Sequence, residues 1–480
     1  MKVLIKNVSD IYTMDPERTH HYNADILIDG SRIQNIGVNL SDDGVEKIID
    51  GRQKLAIPGL VNVHHHFYQN ITRNIPIMQR GNLLQWLLYS YGAWAELDEE
   101  DVYAAARLAA GELLLTGVTT SMDFMYFFPH KRHNLMDVEF QAAREMKLRF
   151  HGYRGCMPVM EGDLPSQIQH LLHLDPHTML ETPEEILTAC SDTSAKFHDS
   201  SEGAMQRVGY GPTTVPFAMP EFMRDLLELA KRNDALLHTH FHPRPDEAAY
   251  CAKLYHMTPH AYMERTGWLS PRLSVAHISR HSRQQLELLA HYGVNATHSP
   301  SCHMRLGYPV APLIEAIQSG VNVGIGVDGG ASNDSGDMLA ELRTALYVHR
   351  IQGAHDGYPP ESWMGPEDVF ALATNNGARL LQRNDIGSLE VGKMADIVLV
   401  NMNQIGYASA MSDPLGALLF CGNNHRVDTT IVNGEVVVSD GKLLCASEDK
   451  IVSEANRITE KIMKSVHART GIDFAQTERR

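Results

Sequence analysis

The stretch Pro58-Gly59-Leu60-Val61-Asn62-Val63-His64-His65-His66 is an apolar run that ends in three consecutive histidines. Its apolar content and its Pro-Gly pair predict a buried strand over residues 54–63. Alternate side chains of a strand project from the same face, so His64 and His66 would point the same way. Two imidazoles on one face at the end of a strand can bind one metal ion.

Later apolar runs end in the same kinds of side chain. The chain has 26 histidines, so one histidine run could equally be an exposed loop. However, four further strand-like runs end in His240, His277, His298 and Asp328. Strands that each present one polar side chain at their C-terminal end are typical of the active site of a (β/α)8 barrel. The set as a whole therefore predicts a metal site.

Strand-like and helix-like segments alternate through the middle of the chain, which predicts parallel βα units in an α/β fold. Helix starts are indicated at Asp98 and at the capping box Ser282-x-x-Gln285, and Gly117 and Gly293 indicate helix ends. Eight strands are predicted near residues 56–63, 118–123, 148–154, 207–211, 235–240, 273–277, 294–298 and 321–328.

The two ends of the chain have a different pattern, with short strands around tight turns. Asp29-Gly30 and Asn433-Gly434 are hairpin signals because glycine tolerates positive φ. We expect the ends to combine into one small domain. The prediction is a TIM barrel over residues 55–385, a β-sandwich formed by residues 1–54 and 386–446, and a C-terminal helix and tail over residues 447–480.

Composition limits the partners of the protein. The formal net charge of −16, without clustered Lys or Arg, argues against nucleic acid as a partner. No apolar run approaches the roughly 18–20 residues of a membrane span, and the N-terminus lacks the apolar core of a signal peptide. The six cysteines have no CxxC spacing. We expect a cytoplasmic protein that binds a small, neutral or weakly charged molecule and no membrane.

The ordered motifs resemble the amidohydrolase superfamily. They are Pro-Gly-Leu-Val-Asn-x-His-x-His at 58–66, a histidine on a middle strand, another 37 residues later, and Val-Asp-Gly-x-Ala-Ser-Asn-Asp at 327–334. The chain is most similar to the branch that holds 8-oxoguanine and isoxanthopterin deaminases, hydroxyatrazine ethylaminohydrolase and the triazine hydrolase type of atrazine chlorohydrolase. The resemblance covers nearly the whole chain and implies a metal-dependent barrel enzyme and a homo-oligomer.

The resemblance also implies roles at the predicted metal site. The ligands of one divalent metal ion would be His64, His66, His240 and Asp328, a set that suits Zn²⁺ and that Fe²⁺, Co²⁺ or Mn²⁺ would also accept. His277 matches the histidine that faces the substrate, and Asp328 would share the transfer of the water proton. Members with two metals bridge them with a lysine on strand 4, and residues 210–214 contain none.

One position departs from the family. In deaminases of this branch a glutamate follows the metal histidine of strand 5 by three positions, where this chain has Pro243. Proline cannot transfer a proton, so ring deamination is in doubt unless another group supplies one. Candidates from the same loop are His242, Asp246 and Glu247.

Substrate contacts are predicted at six positions. Gln69, Arg154 and His298 match substrate-contacting positions of related enzymes, and Trp86 and Trp94 offer flat surfaces for a planar ring, although such residues also pack in cores. The sixth is His242. Phe124 and Met125 stand where relatives carry polar residues, which predicts an apolar wall.

Three functions are compatible with these features. The first is a mononuclear metal-dependent hydrolase in which activated water displaces an amino, alkylamino or halide group from an N-heteroaromatic ring such as an s-triazine, purine or pterin. The second is hydrolysis of an amide, urea or thiocarbamate-like C–N or C–S bond. The third is a barrel that binds a metal or small molecule without catalysis.

Overall fold

The computed structural model describes residues 1–160, 162–242, 244–422 and 426–476. Its strands are β1 (Lys2–Tyr12), β2 (His20–Asp29), β3 (Arg32–Gly37), β4 (Lys47–Asp50), β5 (Lys54–Pro58), β6 (Leu60–Asn62), β7 (His65–His66), β8 (Val118–Met125), β9 (Arg149–Cys156), β10 (Gln206–Pro212), β11 (Leu236–Phe241), β12 (Leu273–His277), β13 (Asn295–His298), β14 (Asn322–Ile325), β15 (Asp328–Gly329), β16 (Ile397–Asn401), β17 (Thr429–Val432), β18 (Glu435–Ser439) and β19 (Lys442–Leu443).

The α-helices are α1 (Leu83–Trp94), α2 (Glu99–Leu115), α3 (Leu135–Glu145), α4 (Leu164–Leu172), α5 (Pro183–Phe197), α6 (Pro220–Arg232), α7 (Pro245–Tyr255), α8 (Pro259–Thr266), α9 (Arg283–His291), α10 (Pro300–Leu306), α11 (Leu313–Gln318), α12 (Met338–His355), α13 (Pro366–Leu372), α14 (Asn375–Leu380), α15 (Pro414–Phe420) and α16 (Glu448–Thr470). In the described ranges, no helix combines the length and the apolar character that crossing a membrane requires.

Eight parallel strands form the barrel, in the order β6, β8, β9, β10, β11, β12, β13 and β14. The last strand returns to the first: the amide of Val63 donates to the carbonyl oxygen of Ile325 at 3.1 Å. Beyond this point, the short strands β7 and β15 pair in parallel. The predicted barrel is therefore confirmed, and all its strands end at the same edge.

The predicted single strand over residues 54–63 is two strands in different sheets. β5 pairs with β1 and β16, and β6 pairs with β8. The chain passes between the sheets at Gly59, where a Cβ atom would lie 2.1 Å from Oγ1 of Thr119. Both halves are buried and apolar, so the hydrophobic pattern does not indicate where one strand ends and the next begins. Residues 55–58, which we expected in the barrel, belong to the small domain.

The two ends of the chain build that small domain, as expected. Its strands form one mixed sheet in the order β19, β18, β17, β16, β5, β1, β2 and β3, with β4 added beside β1. The predicted hairpins are the antiparallel pairs β2/β3 and β17/β18. The predicted C-terminal helix is α16, which packs on α2.

Candidate metal centre and active site

Four of the predicted ligands converge at the C-terminal end of the barrel. Oδ1 of Asp328, in β15, lies 3.6 Å from Nε2 of His64 and 3.4 Å from Nε2 of His66. Nε2 of His240, in β11, lies 3.3 Å from Nε2 of His66. The parallel pairing of β7 with β15 brings together residues 263 positions apart in sequence, since Asp328 lies opposite His65.

Each of the three histidines is oriented by a contact on its outer side. Nδ1 of His66 hydrogen-bonds to the carbonyl of Phe124 at 2.6 Å, and Nδ1 of His240 to the carbonyl of Thr213 at 2.6 Å. A carbonyl can only accept, so both Nδ1 atoms carry the proton and both Nε2 atoms present lone pairs. Nδ1 of His64 contacts Nε2 of His238 at 2.9 Å. Such outer contacts are typical of metal-binding histidines.

The protonation state of this cluster favours a cation. Burial is the main cause that lowers the pKa of His66 well below its usual value and that of His240 to about 4. Two neutral imidazoles whose lone pairs face each other at 3.3 Å repel unless a positive charge lies near both. Nε2 of His64 is buried and makes no hydrogen bond to the described residues. The donor set therefore fits a divalent ion such as Zn²⁺.

His277 stands across the cluster from these histidines. Its Nε2 lies 4.0 Å from Oδ2 of Asp328, and its Nδ1 lies 3.2 Å from Nε2 of His303. Burial raises the pKa of Asp328, while hydrogen bonds from the Cys302 thiol, the Gly329 amide and Ser332 oppose that rise. His277 therefore borders the cluster on the side of Oδ2 of Asp328.

The cluster opens into a cavity of about 520 Å³, a volume that includes open solvent. Its floor contains His66, His240, His277 and Asp328. Its other walls combine polar side chains with an apolar and aromatic group, which is formed by Leu83, Trp86, Leu87, Tyr91, Tyr126, Leu306 and Tyr308. Flat side chains around a metal-binding floor can hold a planar ring close to an activated water.

Three of the six predicted substrate contacts line this cavity: Gln69, Trp86 and His242. The side-chain amide of Gln69 packs closely against β15: a Cβ atom added to Gly329 would lie only 1.8 Å from Oε1 of Gln69. The indole Nε1 of Trp86 donates to the carbonyl of Ala331 at 2.9 Å, which fixes the ring in the wall.

The structure does not bring the other three to the cavity surface. Trp94 is fully buried behind Trp86, with ring centroids 5.5 Å apart. Arg154 is fully buried and ion-paired with Glu181, because a guanidinium removed from water needs a charged partner. His298 is fully buried, with its Nε2 2.9 Å from Nε2 of His349.

The apolar wall also differs from the expectation. Phe124 and Met125 are fully buried beneath the cavity. Phe124 contacts the metal site from outside, through its carbonyl to His66 and its ring 5.0 Å from that of His238. The apolar and aromatic side chains of the wall come instead from helix α1 and from Tyr126, Leu306 and Tyr308.

Several site residues had no sequence signal strong enough to single them out. One of them is His238, whose Nδ1 contacts the Ser274 hydroxyl at 2.7 Å and whose Nε2 contacts His64. Cys302 and Tyr308 line the cavity. Residues i and i+2 of a strand share a face, so the spacing of His238 and His240 is the signal that places both on the same side of β11.

The loop after β11 contains the departure from the family pattern. Pro243 lies outside the described residues. Glu247 is 1% exposed and lines the cavity. One of its carboxylate oxygens accepts from the Arg244 amide at 3.1 Å, and the other from the Thr214 hydroxyl at 3.3 Å. Asp246 points outward, with half of its side chain exposed.

Comparison with known proteins agrees with the resemblance in the sequence. The model of the amidohydrolase family matches residues 55–437. An 8-oxoguanine deaminase of Pseudomonas aeruginosa is 36% identical over 395 residues, covering 82% of this chain and 84% of the relative. A hydroxydechloroatrazine ethylaminohydrolase of Pseudomonas sp. strain ADP is 31% identical, covering 94% of each chain. The crystal structure of atrazine chlorohydrolase from Arthrobacter aurescens TC1 complexed with zinc superposes with a TM-score of 0.88, at 32% identity, covering 95% of this chain and 100% of that chain. The chain therefore belongs to the amidohydrolase family.

Proposed function

We propose that this protein is a mononuclear metal-dependent hydrolase that uses water to displace an amino, alkylamino or halide group from an N-heteroaromatic substrate. Its metal ligands would be His64, His66, His240 and Asp328, and its ion Zn²⁺. The observation that carries this proposal is the pair of facing Nε2 lone pairs of His66 and His240, 3.3 Å apart and next to a buried carboxylate. The names of the relatives support the substrate class.

In the proposed reaction, Asp328 and His277 would have different roles. A bound Zn²⁺ would supply Lewis acidity and lower the pKa of a water molecule toward about 7. Oδ2 of Asp328, on the His277 side of the cluster, would accept the proton of the attacking water. Nε2 of His277 would hydrogen-bond to the ring atom that gains charge, because it faces the same point.

The cavity walls support a flat substrate. The ring of Trp86 and the amide of Gln69 would set the plane and the orientation of a heteroaromatic ring, with His242 on the opposite rim. The leaving group would then face the loop that follows β11.

We further propose Glu247 as the proton donor to the leaving group. Among the described residues that line the cavity, Glu247 and Asp328 are the two carboxylates. The proton that Asp328 takes from the water would pass to the carboxylate of Glu247, which lies 3.5 Å from the Arg244 guanidinium, and from there to the leaving group. Glu247 would thus supply the proton transfer that the family's glutamate performs and that Pro243 cannot.

Mass spectrometry of reaction products tests the function directly. The zinc-loaded enzyme would be incubated with 8-oxoguanine, isoxanthopterin, atrazine, hydroxyatrazine, a phenylurea and a thiocarbamate, with His240→Ala as the metal-deficient control. We expect turnover of at least one ring substrate, and the product mass identifies the group that left. Turnover of the phenylurea or the thiocarbamate alone would show that the second hypothesis holds. Metal binding without turnover of any compound would favour a non-catalytic barrel.

Two further expectations from the sequence stay predictions: a cytoplasmic location and assembly into a homo-oligomer. Light scattering of the purified protein measures the mass of the particle in solution, to be compared with 53.6 kDa for one chain.

A further inference from the structure

Behind His277 lies a second imidazole that does not line the cavity. His303 is on helix α10, is 1% exposed, and places its Nε2 3.2 Å from Nδ1 of His277. The opposite nitrogen of His277, Nε2, faces Asp328. His277 is therefore held on one side by His303 and exposes its other side to the reaction site.

The His303 ring has a fixed place of its own. The backbone of residue 303 closes the short helix: its amide donates to the carbonyl of Ser299 at 3.2 Å, and its carbonyl accepts from the amide of Tyr308 at 2.8 Å. Its ring packs against the rings of His298 and Tyr308, with centroids 5.4 and 5.7 Å away. A ring held by its backbone and by two aromatic neighbours can orient a third.

His277 needs such a support because its backbone does not provide one. It ends strand β12 at φ 82°, and the next residue, Ile278, has φ 43°. Left-handed conformations of residues other than glycine are strained and persist only where surrounding contacts hold them. The contact between Nδ1 of His277 and His303 is the hydrogen bond that fixes the rotation of the His277 ring about its Cβ–Cγ bond.

We propose that His303 is a positioning residue for the reaction: it holds His277 so that Nε2 points to Asp328 and to the substrate. The proposal rests on the proposed function, because His277 must act there for its orientation to affect turnover. Between two neutral imidazoles one nitrogen donates and the other accepts, so the contact couples the tautomer of His277 to that of His303. No covalent step is assigned to His303.

Three substitutions separate this role from simple packing. The end of a glutamine side chain reaches the place of the imidazole Nε2, whereas that of asparagine reaches only the place of Nδ1. His303→Gln should therefore keep the contact with His277, and His303→Asn and His303→Leu should lose it. For the last two variants we expect kcat to fall about 10- to 100-fold with KM and zinc content unchanged. We expect His303→Gln to keep at least a third of the wild-type kcat.

Crystal structures of the zinc-loaded variants give a readout that does not depend on activity. We expect His277 to adopt a second ring orientation in His303→Asn and His303→Leu, and a single one in His303→Gln. An unchanged His277 ring in both of the former variants would overturn the proposal, as would equal losses of kcat in His303→Gln and His303→Leu. If His303→Leu does not fold, the two amide variants still decide. If the wild-type enzyme turns over none of the compounds, the proposed function fails, and the orientation of the His277 ring alone decides on His303.

Discussion

Nε2 of His277 lies 4.0 Å from Oδ2 of Asp328 across the floor of the cavity, and both residues have left-handed backbone conformations, with φ of 82° and 63°. Backbone strain of this kind is uncommon outside glycine and clusters at functional sites. Strand β12 thus ends in a strained residue and β15 begins with one, and the side chains of the two residues face each other. The proposed function assigns His277 to the substrate, and it assigns Asp328 to both the metal and the water.

Asparagine substitutions at the two positions should have different effects. His277→Asn removes a residue outside the proposed ligand set, so kcat should fall by a factor of about 10² to 10⁴ while zinc content stays near one per chain. Asp328→Asn removes a charged ligand, so both kcat and zinc content should fall. Metal analysis by inductively coupled plasma mass spectrometry beside steady-state kinetics measures both. Loss of zinc in His277→Asn would place that residue among the ligands instead.

The outer contact of His64 should control metal affinity. His238→Leu deletes the imidazole that contacts Nδ1 of His64, at similar volume, and we expect zinc to bind about 10- to 100-fold more weakly. Ser274→Ala, one hydrogen bond further out, should have a smaller effect. Competition with a zinc chelator measures the affinities. Equal affinity of wild type and His238→Leu would contradict the role of His238 in orienting His64.

Local sequence patterns predicted the features that depend only on residues close together in the sequence, such as the ends of helices. Ser282 and Gln285 form the expected capping box, with the Ser282 amide donating to the Gln285 side chain at 2.8 Å. Asp98 caps α2, and Gly117 follows its end at φ 89°. The i, i+2 spacing of His64 and His66 predicted that the two rings would lie close together, and their centroids are 4.8 Å apart.

Contacts between distant segments could not be predicted in the same way. Arg154 was expected at the substrate, but it pairs with Glu181, which approaches it from the segment before α5. His303 contacts His277 only because α10 folds back under β12. No local pattern encodes which buried charge or ring lies opposite, since that depends on how the helices pack around the barrel.

A glycine between two barrel strands should be essential for the fold around the metal site. A Cβ atom on Gly211, in β10, would lie 1.6 Å from the carbonyl oxygen of His238 in β11, and backbone atoms cannot yield as a flexible side chain can. Gly211→Ala should therefore destabilise the protein by about 1–3 kcal/mol or more and weaken zinc binding. Gly37→Ala is the control, because its Cβ atom would meet Leu40 at an ordinary 3.7 Å. Urea unfolding measures both, and equal midpoints would refute the clash.

The metal-free protein should lose stability in mild acid. Burial lowers the pKa of His260 and His349 to about 4 and that of His281 to about 3, from 6.5 in the unfolded chain. Between pH 6.5 and about 4 the unfolded state binds more protons than the folded state. The contribution of these histidines to stability is therefore fully present above pH 6.5 and is lost as the pH falls toward 4. Each of these groups accounts for roughly 3 kcal/mol over that window.

Urea unfolding of the metal-free protein from pH 8 to pH 5 checks this dependence. His281→Leu removes a buried imidazole that makes no hydrogen bond to the described part of the chain, so the slope of stability against pH should decrease by about one proton. His355→Leu, at an exposed position, is the control. A wild-type stability that does not change between pH 7 and pH 5 would contradict the prediction.

The proton donor can be identified by comparing leaving groups. An amine departs from a ring only after it gains a proton, whereas chloride departs without one. Glu247→Gln keeps the shape of the side chain and the hydrogen bond to Thr214 but cannot carry a proton to the leaving group. We expect kcat for an aminated or alkylaminated ring to fall about 10²- to 10⁴-fold and kcat for a chlorinated ring to change little. Asp246→Asn, at the exposed neighbour, should leave both rates near wild type. Equal losses for both leaving groups would mean that Glu247 stabilises the loop rather than transferring the proton, and His242 would then be the remaining candidate in the loop.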